Sequence, residues 1–137
     1  MAIWKYPATF IFTLLFAFAC YAHGEDKPGP HNGAIRMPGA YHVEVIPGKD
    51  ALNIMLLDIN FKNPTVLNSF IKVNIKQGKS AYVLRCESMD NYYSCPVSTK
   101  LLARKGTLHV ESERQMAEGI PVEYTLPLKI PETTLTA

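Results

Sequence analysis

The spacing of apolar and polar positions divides the chain into three stretches. Residues 1–22 are dominated by an uninterrupted apolar run, and residues 23–39 show no apolar period. From residue 40 onward, short runs rich in Val, Ile, Leu, Tyr and Thr alternate with turn residues. These runs fall at 40–46, 51–59, 66–76, 80–87, 91–97, 106–113 and 121–129. Pro47-Gly48-Lys49-Asp50, Lys62-Asn63-Pro64 and Gln77-Gly78-Lys79 separate the first four of them. Short strands at this spacing predict an all-β fold, a single immunoglobulin-like antiparallel β-sandwich of about seven strands.

Alternation within the runs assigns faces. In Leu67–Ile75, Leu67, Ile71, Val73 and Ile75 share one face, and Asn68, Lys72 and Asn74 share the other, with Phe70 as the exception. In Gly106–Glu113, Leu108 and Val110 point one way, and Thr107, His109, Glu111 and Glu113 point the other. A period of two is the signature of a half-buried strand in an antiparallel sheet. Leu52–Leu57 is apolar on both faces, as a central strand would be. A single helical turn is expected near Arg114–Ala117. Ten prolines and eight glycines argue against long helices.

The first stretch reads as an address. Lys5 is the one cation of the opening residues, and Phe10 to Ala22 carry no charge. His23-Gly24-Glu25-Asp26-Lys27-Pro28 then turns polar at once. This order describes a secretory signal peptide. A membrane anchor is the alternative, but the run falls short of the roughly 20 residues a spanning helix needs, and no stop-transfer cations follow. Cleavage after Ala22 is favoured, with cleavage after Ala19 and lipidation of Cys20 as alternatives. The predicted organisation is a signal peptide over 1–22, a Gly/Pro-rich arm over 23–39 and a β-sandwich over 40–137. The expected destination is the periplasm, with no stable membrane span after cleavage.

The three cysteines then resolve. Cys20 leaves with the leader, and Cys86 and Cys95 remain with eight residues between them, including the turn signal Met89-Asp90-Asn91. A disulfide across a hairpin is expected, since export permits it. A two-cysteine metal site is the alternative, although metal-binding pairs sit closer together and need further ligands. Composition adds mainly exclusions. The chain of 137 residues has room for one domain. Its 14 basic and 12 acidic residues give +2, which offers nothing to nucleic acid. No Gly-x-Ser-x-Gly elbow, phosphate loop or His-Glu-x-x-His is present, so an enzyme is not expected.

Candidate chemistry collects near the start of the mature chain. Of the four histidines, His23, His31 and His42 lie within twenty positions. His42 and Glu44, two apart on an expected strand, share a face. Imidazole and carboxylate suit first-row metals, and the Met37 thioether suits Cu(I). A mature chain beginning at His23 could chelate Cu(II) through its amine and imidazole together. Taken singly, each of these histidines is equally an ordinary solvated or surface residue.

Gly29-Pro30-His31-Asn32-Gly33 followed by Gly39-Ala40-Tyr41-His42-Val43-Glu44-Val45 resembles a segment of small bacterial periplasmic proteins. The same Gly-Pro-His-Gly-Gly opening and Gly-x-Tyr/Phe-His-x-Glu continuation occur in the periplasmic adaptor subunits of heavy-metal efflux pumps. The resemblance spans about 17 residues and implies an association with copper or related metals. It implies His31, His42 and Glu44 as ligands. Asn32 departs from the usual glycine. A fainter resemblance, to small periplasmic copper-resistance carriers that begin with histidine, points to His23.

Two functions follow as expectations. One is a periplasmic metal-binding protein, for copper with zinc as the alternative, using His23, His31, His42, Glu44 and Met37. It would buffer metal or deliver it to a heavy-metal efflux or envelope protein. The other is a cell-envelope protein-interaction module with no metal role, in which the arm serves as strap or docking segment.

Overall fold

In the computed structural model, Glu25 and residues 27–132 are described. The leader expected over 1–22 and the candidate ligand His23 lie outside them.

Every strand expected from the pattern is present, each within a few residues of its run. They are β2 (His42–Gly48), β3 (Ala51–Leu57), β4 (Phe70–Gln77), β5 (Ser80–Leu84), β7 (Tyr93–Pro96), β8 (Gly106–Arg114) and β10 (Val122–Leu126). Three short strands join them: β1 (Ala34–Arg36), β6 (Glu87–Ser88) and β9 (Ala117–Glu118). β1 lies inside the stretch read as a structureless arm. It carries only the two apolar residues Ala34 and Ile35 before Arg36, too few to register as a period.

The strands form two antiparallel sheets. One runs β1-β2-β3-β7-β6, the other β10-β8-β4-β5, with β9 added to β8. The seven longer strands, counted in chain order, therefore divide 1-2-5 and 7-6-3-4. This is an immunoglobulin-like division in which the fourth strand has joined the third. Tight turns set the register. Gly48 pairs with Ala51 around Lys49-Asp50, where Asp50 has φ 54°, and Gln77 pairs with Ser80 around Gly78-Lys79, where Gly78 has φ 59°. Two-residue hairpins need such left-handed positions, which glycine and aspartate tolerate best.

The core lies between the sheets. Val43, Val45, Leu52, Ile54 and Leu56 of the first sheet meet Val73, Ile75, Leu108, Val110, Tyr124 and Leu126 of the second, all fully buried. Three buried hydroxyls are accounted for. Tyr124 donates to the Val43 carbonyl at 3.0 Å, and Tyr41 lies 2.9 Å from the Ser112 carbonyl and 2.8 Å from the Ser112 hydroxyl. Burial pushes the Tyr41, Tyr93 and Tyr124 phenols above the ordinary tyrosine range. Cys86 and Cys95 form a disulfide across the β6–β7 hairpin, with Cα atoms 4.1 Å apart.

Two local expectations are corrected. The helical turn is α1 (Thr99–Leu102), capped by the Ser98 hydroxyl accepting the Leu101 N–H. Arg114–Ala117 is instead the β8–β9 turn, with Gln115 and Met116 in the left-handed region. Leu67 is 71% exposed, because it precedes β4 in a turn around Asn68, at φ 49°. Among the described residues, no helix is long and apolar enough to cross a membrane.

Candidate functional site

The β2 strand has two faces, and both are buried. Val43 and Val45 point into the core. His42 and Glu44 therefore point to the opposite face, which in an antiparallel sandwich normally meets solvent. Yet His42 is 2% exposed and Glu44 0%. The register places Ile35 opposite Glu44 from one side, with Met55 opposite Glu44 and Leu57 opposite His42 from the other. Two chain segments cover this face.

The first cover is the turn 29–33, which closes over Glu44. Pro30 presets the backbone at the second position of a β-turn whose Asn32 N–H donates to the Gly29 carbonyl at 2.9 Å. The Gly29 N–H then donates to the Gly33 carbonyl at 2.8 Å. The turn is held down by one carboxylate. Glu44 Oε2 accepts the backbone N–H of His31 and of Gly33, each at 2.9 Å, and Oε1 accepts His31 Nδ1–H at 2.7 Å. Charge-assisted bonds of this length are among the stronger ones available to a side chain. Both glycines are needed for the approach. A Cβ on Gly29 would overlap the Glu44 carboxylate, and one on Gly33 would lie 2.6 Å from the Val45 carbonyl oxygen. Asn32 has φ 59°, a conformation that glycine and asparagine share. The departure from glycine noted in the sequence is thus conformationally neutral.

The second cover is the loop 58–63, which closes over His42. Asp58 organises it. Its Oδ1 accepts the Asn60 and Lys62 N–H groups at 2.9 Å, and its Oδ2 accepts the Asn63 side-chain amide at 2.7 Å. These bonds, the Lys62 amide foremost, hold the Asp58 carboxyl below its usual range. The loop bends through Phe61, at φ 61°, and lays its ring on His42 with centroids 3.9 Å apart and planes 14° from parallel. The Asp58 carbonyl accepts His42 Nδ1–H at 3.1 Å.

Both histidines are consequently set in the same way. A carbonyl or carboxylate oxygen can only accept, so Nδ1 carries the proton in each neutral ring, and the lone pair falls on Nε2. In His31 that nitrogen belongs to a half-exposed side chain, 42% accessible. In His42, Nε2 is buried and has no hydrogen-bond partner among the described residues. A metal-binding histidine characteristically gives its other ring proton to such an oxygen, which fixes the tautomer and aims the free nitrogen.

The five ligands expected from sequence are therefore not all brought together. His31 and Glu44 touch, with Glu44 fully occupied in holding the turn. His42 leaves from the same strand face but meets the 58–63 loop. Met37 is half-buried directly after β1, in the loop that returns the chain to His42. His23 lies outside the described residues. Among the described residues, no three His, Cys, Asp or Glu side chains converge as a metal-binding group. Sequence reasoning missed Phe61 and Asp58. The cluster Asp58-Ile59-Asn60-Phe61-Lys62-Asn63 does signal a turn, but its docking on His42 is a tertiary contact. Elsewhere, His109 lies 3.5 Å from Glu123 and 3.8 Å from Glu111 on the outer face of the second sheet.

Neither a protein-family model, a curated protein nor a solved structure matches the chain.

Proposed function

We propose that the protein binds a copper ion outside the cytoplasm and serves as a buffer or carrier for it, without catalysis. The observation that carries this reading is the buried, unpartnered Nε2 of His42. Leaving a buried polar group unsatisfied costs on the order of 1–3 kcal/mol. His42 Nε2 shares this state with Asn74 Oδ1 and Gln77 Oε1, and of the three it alone is an imidazole nitrogen. A lone pair with the opposite ring nitrogen already anchored is what a borderline-soft metal requires.

His42 and His31 are the proposed ligands, each through Nε2. Met37 supplies a thioether that favours Cu(I), and His23, eight residues before His31, supplies a further nitrogen. Glu44 is proposed as the group that orients His31. Bound copper is the cargo, and the chain's own contribution is to hold two imidazoles in one tautomer while Phe61 shields the inner one from water. The Cys86–Cys95 disulfide and the apolar opening of the chain support an exported protein and, with the segment resemblance, a periplasmic one. A heavy-metal efflux or envelope protein is the proposed recipient.

The test is titration of the purified mature protein with Cu(I), Cu(II) and Zn(II), following uptake by mass spectrometry and melting temperature. Stoichiometric copper binding is expected, stabilising by about 2.7 kcal/mol when free metal is 100 times Kd. His42→Ala is expected to weaken binding. Absence of uptake by the intact mature protein would sink the proposal.

A further inference from the structure

Among the described residues, four strands form the lateral edges of the two sheets, and three of these edges are blunted. β1 is three residues long and β6 two. Across the edge of β10, Arg36 donates to the Glu123 carbonyl at 3.0 Å, and its guanidinium lies over the Tyr124 ring, 4.7 Å from the centroid. β5 is different. It ends the second sheet with five residues, Ser80-Ala81-Tyr82-Val83-Leu84, of which only Leu84 is even half-buried. Val83 is 72% exposed, and the strand carries no charge or proline. Open edges of this kind are ready templates for a further strand, and proteins ordinarily protect them.

The register shows which backbone groups no strand of the described residues pairs with. Gln77 and Ser80 flank a two-residue turn and form a hydrogen-bonded pair, so the alternation continues through Tyr82 and Leu84. Ala81 and Val83 are the residues whose N–H and C=O groups point away from β4. The disulfide at Cys86, two residues beyond Leu84, ties the far end of this edge to the other sheet.

Charge identifies the occupant. Lys79 and Arg85 bracket the strand, and Lys76 stands opposite Ala81 on β4. No acidic residue occurs between Asp58 and Glu87, so nothing within the β4–β5 hairpin offsets them. A second copy fits poorly, since antiparallel pairing of two β5 strands about Tyr82 sets Lys79 against Arg85 at both ends. Like charges directly opposed destabilise a strand pair. We propose that β5 is a strand-addition site for an extended segment of another protein, uncharged at its centre and acidic at its flanks. Main-chain bonds to Ala81 and Val83 would supply affinity, and the three cations would supply register and selectivity. This surface is independent of the histidine site.

The test uses a fluorescein-labelled peptide, Asp-Glu-Thr-Val-Thr-Val-Thr-Glu-Asp, blocked at both ends, with fluorescence anisotropy as the readout. Saturable binding is expected, with amide shift changes confined to β5 and the opposing face of its partner. A Lys-flanked peptide should bind at least tenfold more weakly, and Lys79→Glu with Arg85→Glu should reverse that preference. Val83→Pro removes an outward N–H without touching the β4 ladder, and should abolish binding. N-methylation of the peptide backbone should do the same with the protein unaltered, which covers the case of a misfolded variant. No binding, equal binding of both peptides, binding that survives N-methylation, or self-association through β5 would each overturn the proposal.

Discussion

Replacing Glu44 with Gln isolates what the buried carboxylate does. Oε2 accepts two backbone N–H groups, which can only donate, so the amide oxygen of Gln must take that place. The amide NH2 then faces His31 Nδ1, where the carboxylate oxygen stood at 2.7 Å. Two donors cannot face each other, so His31 must move its proton to Nε2. The cost in stability is modest. A bond to a charged group contributes about 1.5–3 kcal/mol and a neutral one about 0.5–1.5, a loss near 1 kcal/mol before the relief of burying no charge. Under the proposed copper binding, the cost in metal affinity is larger. His31 Nε2 no longer offers a lone pair, and loss of such an orienting partner typically weakens binding about 10–100-fold. Long-range proton–nitrogen correlation of the imidazoles reads the tautomer directly. Wild type should show Nδ1–H for His31 and Glu44→Gln should show Nε2–H, while the His42 tautomer stays unchanged. His31 retaining Nδ1–H in a folded Glu44→Gln protein would refute the reasoning. By comparison, Glu44→Ala strands the buried Gly33 N–H and opens a cavity, and should cost about 2–4 kcal/mol in denaturant unfolding.

Other consequences are accessible to simpler measurements. Gly29→Ala should destabilise by about 1–3 kcal/mol, because the new methyl meets the Glu44 carboxylate, and hydrogen exchange should rise at the Asn32 amide. Replacing Cys86 and Cys95 with Ala should cost about 2–3 kcal/mol, measured by urea unfolding under non-reducing conditions. The Asp58 carboxyl titrates below its unfolded value, so its contribution is present above the ordinary carboxylate range and is lost as pH falls through the lowered folded value. The Lys62 amide resonance should follow that loss on acidification, and Asp58→Asn should flatten it. Tyr41, Tyr93 and Tyr124 should remain protonated past pH 10 in absorbance titration while the protein is folded. Because their folded values are raised, the stability they contribute is complete below the unfolded value and declines as pH rises above it.

Periodicity carried much of the architecture. Ile71, Val73 and Ile75 on one face of β4, and Leu108 and Val110 on one face of β8, are the residues that pack between the sheets. The cysteine spacing likewise identified a disulfide, because a hairpin turn lies between the two positions. Alternation reports one buried face per strand, however, and β2 has two. His42 and Glu44 read as sharing one face of a strand, and the structure sets both on the face of β2 turned away from the core. Their burial comes from the 29–33 turn and the 58–63 loop, which close on them across gaps of 13 and 16 residues in the chain. No local propensity encodes a closure between segments so far apart in sequence. The residue types capable of binding metal were thus legible along the chain. Which nitrogen of each histidine is free, and that Glu44 orients His31, was decided by tertiary packing, because a side chain's tautomer and hydrogen-bond partners depend on what the folded chain sets against it.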